Sequence, residues 1–207
     1  MRTGSEYVDV DAPVSAEQLE AIRSLDNNAL IIRLHFTINH LSRWLSPIHE
    51  PAPLIRSRYR GEPTVKDLLL AMRDYEQYVY PKMYVIASQE TPDLDTIPDY
   101  RPSAARQVSD AEHSPIVLMS NFRRLRQSTC SLLRNLPDEA WDRKGFSRVH
   151  RNATIRQLAE GLAEHDYRHL RAIDQLLTET GAREGLAEIQ KAPLDELIKL
   201  VPQSMKG

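Results

Sequence analysis

Residues 162–173 read LAEHDYRHLRAI, and their two histidines, His165 and His169, stand four positions apart. In an α-helix this spacing puts two imidazoles one turn apart, with Cβ atoms about 5–6 Å from each other, close enough for one metal ion. On a helical wheel with His165 at the origin, His169 lies at about 40°, Leu158 and Leu176 at about 20°, Leu162 at about 60° and Ile173 at about 80°. The pair therefore points with the apolar stripe, inward, where ligands from a neighbouring helix would meet it. The motif alone is weak: with seven histidines in 207 residues, chance supplies roughly 0.2 such pairs. Zinc-type catalysis also takes three protein ligands and leaves one position for water. The alternative is a buried pair satisfied by its neighbours.

Other residues with chemical potential are fewer. Tyr75, Tyr78 and Tyr80 have the spacing of a pocket wall, or of core packing with hydroxyls at the rim. Arg56, Arg58 and Arg60 lie in a segment rich in proline and arginine, where they read as a solvated loop or as a greeting for an anionic substrate. Cys130, the only cysteine, sits beside an apolar stripe and reads as a buried structural thiol. Trp44 and Trp141 read as packing residues. The chain has no glycine-rich phosphate loop and no CxxC pair.

These residues need helices to position them. Asp26–Leu45 carries Leu30, Leu34, Ile38, Leu41 and Leu45 at helical spacing, and Pro47 ends it. A second helix begins at Pro63 or Thr64, with Leu68, Ala71, Tyr75 and Tyr78 on one face; Pro81 is expected to kink it or end it early. Residues 88–114 contain three prolines and read as a long connection, of the sort found near functional clefts. A third helix from Pro115 to Asn135 carries Leu118, Phe122, Leu125, Thr129 and Leu132. Residues 136–152 read as a loop with one helical turn. A fourth helix runs from Thr154 to Thr180, with Gly181 just past its end. SAEQ at 15–18 starts a short helix, and 184–200 is helical again but broken by Pro193. Strand signals are nearly absent. The expectation is an all-α antiparallel four-helix bundle at 26–180, with an N-terminal arm and short helix at 1–25 and a C-terminal helical extension at 181–207.

Composition excludes several functions. Charged residues make up 27% and apolar ones 41%, and the formal net charge is −2, so no basic footprint points to nucleic acid or a membrane surface. No apolar run reaches the ~18 residues of a membrane span. The lone cysteine and the acidic, non-hydrophobic start fit a soluble cytoplasmic protein.

The stretch ATIRQLAEGLAEHDYRHLRAIDQLL resembles the last bundle helix of the DinB-like (YfiT-type) superfamily: a Thr-Leu/Ile start, then His-Asp-x-x-His, a leucine and an isoleucine. Thr154, Ile155, His165, Asp166, His169, Leu170 and Ile173 match it. PTVKDLLLAMRDYE is similar to the segment where members read Thr/Ser-Val, two leucines and then His-Ile-x-Asp-x-Glu. The resemblance covers about 26–180. It implies an up-down-down-up bundle, a homodimer, three histidines on a divalent ion (Ni or Zn), and hydrolase or thiol-transferase chemistry on a small-molecule substrate.

Carried over by position, His165 and His169 are two of the metal ligands. The third falls at residue 71, where this chain has Ala71, while Asp74 and Glu76 are kept. Relative to Ala71, Tyr75 lies at about 40°, Asp74 at about 300° and Glu76 at about 140°, pointing away from the cleft. His35 is placed to reach in; His40 lies on the far side of its helix; His49, His113 and His150 sit in loops. The expectation is a weak or degenerate metal site, the alternative being a metal-free bundle that binds a small molecule or a partner protein.

Overall fold

The structure, a computed structural model, describes residues 8–148 and 152–202. Four long helices carry the molecule: α2 (Asn27–Leu45), α4 (Val65–Ser88), α6 (Pro115–Arg134) and α7 (Ile155–Glu179). Each starts where a side chain satisfies a free backbone N–H. Asp26 accepts from the Ala29 amide at 2.7 Å. Ser114 accepts from Val117, with Pro115 in the first turn. Thr64 and Asp67 form a reciprocal capping box at α4, and Thr154 and Gln157 another at α7. Past the end of α7, Gly181 takes a φ of +66°, which only glycine adopts without strain.

α4 packs against α6 and α7, and α2 packs against the same two. The four helices therefore stand in the spatial order α2–α6–α4–α7, a four-helix bundle in which α2 lies diagonal to α4. Leu30, Leu34, Leu41, Leu45, Phe122 and Ile173 lie fully inside, as the helical spacing predicts. α4 runs unbroken through Pro81, against the expected early end. A proline removes one backbone bond, but Val79, Lys82, Met83 and Ile86 around it are all buried, and that packing holds the helix together.

Shorter elements complete the frame: α1 (Ala16–Arg23), α3 (Ala52–Ile55), α5 (Ala104–Glu112), α8 (Glu188–Lys191) and α9 (Leu194–Lys199). The connection at 88–114 is more ordered than its prolines suggest. It holds a 3₁₀ turn at Leu94–Thr96 and α5, capped by Ser103. Arg73 of α4 pins α5 through two bonds to Asp110, at 2.6 and 2.7 Å. The 136–148 segment adds a 3₁₀ turn and β1 (Lys144–Gly145), which pairs antiparallel with β2 (Ala153–Thr154). A Cβ at Gly145 would stand 2.6 Å from the buried Leu94 side chain, which would have to move to admit any other residue. At the C-terminal end, the Trp44 indole donates to the Ala192 carbonyl at 3.0 Å, and Asp174 accepts from the Leu194 amide at 2.8 Å. Leu194 and Leu197 of α9 are buried in the core that the long helices form.

Candidate functional site

His165 and His169 share one face of α7, and both press into the bundle edge between α7 and α4. Their rings stack on each other with centroids 3.9 Å apart and planes tilted by 25°. Tyr75 of α4 stacks on the other side of His165 at 4.1 Å and 14°. Tyr78 extends the column, 6.0 Å from Tyr75. His165 is thus held between a phenol ring and a second imidazole. Nδ1 of His169 lies 2.9 Å from the His165 carbonyl. A carbonyl only accepts, so Nδ1 carries the proton and Nε2 is left with a free lone pair. Nδ1 of His165 is buried without a partner among the described residues. Burial pushes His165 down to about 2, helped by His169, Arg168 and Arg126. Burial also lowers His169. Both rings are neutral at physiological pH, the protonation state a metal ligand needs.

The residues present do not fit a three-ligand metal centre. A ligating imidazole keeps the ion in its own plane, about 3 Å from the ring centre. Rings stacked with centroids 3.9 Å apart and planes tilted by only 25° run nearly parallel, and such planes do not converge on a point within bonding distance of both rings. One ring would have to leave the stack before both could hold one ion. Ala71 offers no donor, and the Tyr75 ring occupies the flank of His165. Among the described residues no group of three His, Cys, Asp or Glu could hold an ion.

The carboxylates near the pair serve another structure. Glu76, expected to point away, is fully buried. It accepts from Nε and Nη2 of Arg126, the latter at 2.7 Å, and from the Thr129 hydroxyl. Asp166 accepts from Arg126 at 2.5 and 3.1 Å and from the Thr37 hydroxyl at 2.7 Å. Arg126 also donates to the Leu34 carbonyl at 2.8 Å. One guanidinium therefore ties together all four long helices. The wheel misplaced Glu76 because it ranks faces by apolar residues alone. The available signal was Arg126, four residues from Phe122 and three from Thr129 on the stripe of α6. Asp74 is taken by its neighbour Arg73 at 2.6 Å.

The remaining candidates disperse. His35 does not reach the pair; it lines a cleft between α2 and α6, on the opposite edge of the bundle. His40 is buried rather than turned outward, and its Nε2 has no partner among the described residues. His49 is exposed and His113 ends α5; His150 lies outside the described residues. Tyr80 leaves the aromatic column and contacts Tyr84. Arg58 is paired with Glu62 and Glu179, at 2.6 and 2.8 Å, whereas Arg56 and Arg60 are exposed. Cys130 is buried, and burial pushes its thiol up to about 11, so it carries no thiolate chemistry at neutral pH. Trp44 and Trp141 are core residues.

A sequence model described as the DinB superfamily matches residues 12–173. Among solved structures, the chain is similar to YfiT from Bacillus subtilis, described as "a probable metal-dependent hydrolase with an unusual four-helix bundle topology". The two are 18% identical, with a TM-score of 0.59 over 82% of this chain and 91% of that one. No curated protein matches the chain.

Proposed function

The chain belongs to the DinB superfamily, and from that premise we propose that it is a member with a degenerate metal centre. His165 and His169 are a two-imidazole remnant that holds a divalent ion weakly, without the third ligand that hydrolase or transferase chemistry needs. The observation that carries this reading is the stack of Tyr75, His165 and His169, with alanine at position 71, one turn before Tyr75 on α4. It packs the two imidazoles face to face as aromatic surface, nearly parallel to each other. The unpartnered Nδ1 of His165 and the free Nε2 of His169 keep weak binding within reach once a ring rotates. The description of YfiT as a probable metal-dependent hydrolase supports an ancestral metal site here, not its retention.

The test is metal content and affinity in protein purified without a histidine tag. We expect no stoichiometric Ni, Zn, Mn or Fe by elemental analysis. Calorimetric titration with Ni or Zn should show only weak binding that disappears in His165→Ala plus His169→Ala. Ala71→His combined with Tyr75→Ala supplies the absent ligand and frees His165; it should raise Ni or Zn affinity at least about tenfold. A stoichiometric, tightly held ion in the wild type, lost with the two histidines, overturns the reading.

A further inference from the structure

The α2–α6 edge, opposite the histidine pair, opens into a cleft of about 900 Å³ flanked by α8. That is the size of a small-molecule site, about 300–1,000 Å³. Three arginines line it, and its lining among the described residues holds no carboxylate. The three arginines are not equivalent. Arg126 forms the floor, but its five N–H groups are all committed to Glu76, Asp166 and the Leu34 carbonyl. Arg43 of α2 makes no ion pair among the described residues, and the one side-chain partner of Arg123 of α6 is the Ser42 hydroxyl.

Two uncompensated guanidiniums thus face one concavity from facing helices, in a chain whose net charge is −2. Guanidinium is the side chain suited to two-pronged hydrogen bonding of carboxylate and phosphate. The rest of the lining is mixed. Ile38 lies in the wall, and Ile189 stands 54% exposed at the rim, an apolar surface that a ligand would cover. Burial and the nearby Arg134 and Arg126 lower His35, leaving it as a neutral hydrogen-bonding group beside the cations.

We infer that the α2–α6 cleft binds a small organic anion, with its oxyanion group on Arg43 and Arg123 and an apolar body against Ile38 and Ile189. This site is independent of the metal reading, because it shares no residue with the Tyr75–His165–His169 stack.

The experiment titrates the full chain by calorimetry with octanoate and octyl phosphate, and with 1-octanol and octyltrimethylammonium as neutral and cationic controls. Both anions should bind, and added salt should weaken them. Octanol should bind at least about tenfold more weakly, and the cation not at all. Arg43→Gln plus Arg123→Gln should lose at least about tenfold in anion affinity, whereas Arg43→Lys plus Arg123→Lys should recover much of it. His165→Ala plus His169→Ala should leave anion binding unchanged, so failure here and failure of the degenerate-site reading are told apart. Equal binding of octanol and octanoate, undiminished binding in the double glutamine variant, or no anion binding to the wild type each overturns the inference; the first and last need no variant to fold.

Discussion

Arg126 shows what a single residue does in this bundle. It is fully buried with two carboxylates, and every one of its N–H groups finds an acceptor. Removing one member of such a cluster leaves charge buried without compensation, which costs about 3–5 kcal/mol. Replacing the whole set with apolar residues of similar volume removes that desolvation cost instead. Arg126→Met alone should therefore destabilise strongly in urea unfolding. Arg126→Met combined with Glu76→Leu and Asp166→Leu should recover most of the loss; a triple variant as unstable as the single one would mean that the cluster stabilises in its own right. At this scale the sequence was half legible. Spacing and family pattern both picked out His165 and His169, and the pattern marked Ala71 as the gap. The buried ion cluster stayed hidden because a charged residue on an apolar face looks like noise until its partners on other helices are known.

The long helices were legible for a physical reason: a cap, a stripe and a stop each leave a mark in sequence. Asp26, Thr64, Ser114 and Thr154 are all caps in the structure. What sequence concealed was the order inside connections. α5 is short and stands among prolines, and it docks through distant partners on α4: Arg73, which holds Asp110, and Lys66, which donates to the Ala111 carbonyl at 2.6 Å. Both side chains of the Arg73–Asp110 pair are nearly inaccessible. Asp110→Ala should undock α5 and leave the bundle folded, at a cost of about 3 kcal/mol. Limited proteolysis would then cut within 98–114, a region the intact protein should protect; unchanged protection would show that other contacts hold α5. Pro81 gives the opposite lesson, since a strong local breaker yields to burial on both sides of it.

For the molecule as a whole, buried histidines set the acid limit. Burial, with Arg33 and Arg43 adding to it, pushes His40 down to about 4, against about 6.5 for a free side chain. The unfolded chain therefore binds the His40 proton more readily, so protonation favours unfolding. The stability that neutral His40 permits is present above about pH 6.5 and lost as pH falls from there toward 4. The lowered His165 and His169 act in the same direction. Urea midpoints should fall steadily between pH 7 and pH 4.5. His40→Leu should flatten that slope by up to about 1.4 kcal/mol per pH unit; an unchanged slope would show that His40 does not titrate in this range.

The tail that carries α8 lies beyond the stretch matched by the family, which ends at residue 173, yet Ile189 and Gln190 form part of the cleft wall. The tail is held to the bundle by the Trp44–Ala192 and Asp174–Leu194 bonds and by buried Leu194 and Leu197. A peripheral segment of this kind can open without unfolding the four long helices. Occupancy of the cleft and attachment of the tail are therefore reciprocally coupled: whatever factor by which a bound ligand favours the docked tail, detachment of the tail reduces ligand affinity by the same factor. The extension is thereby a thermodynamic handle on the cleft, and an influence acting on its last helices is felt at Arg43 and Arg123 without any rearrangement of the four long helices.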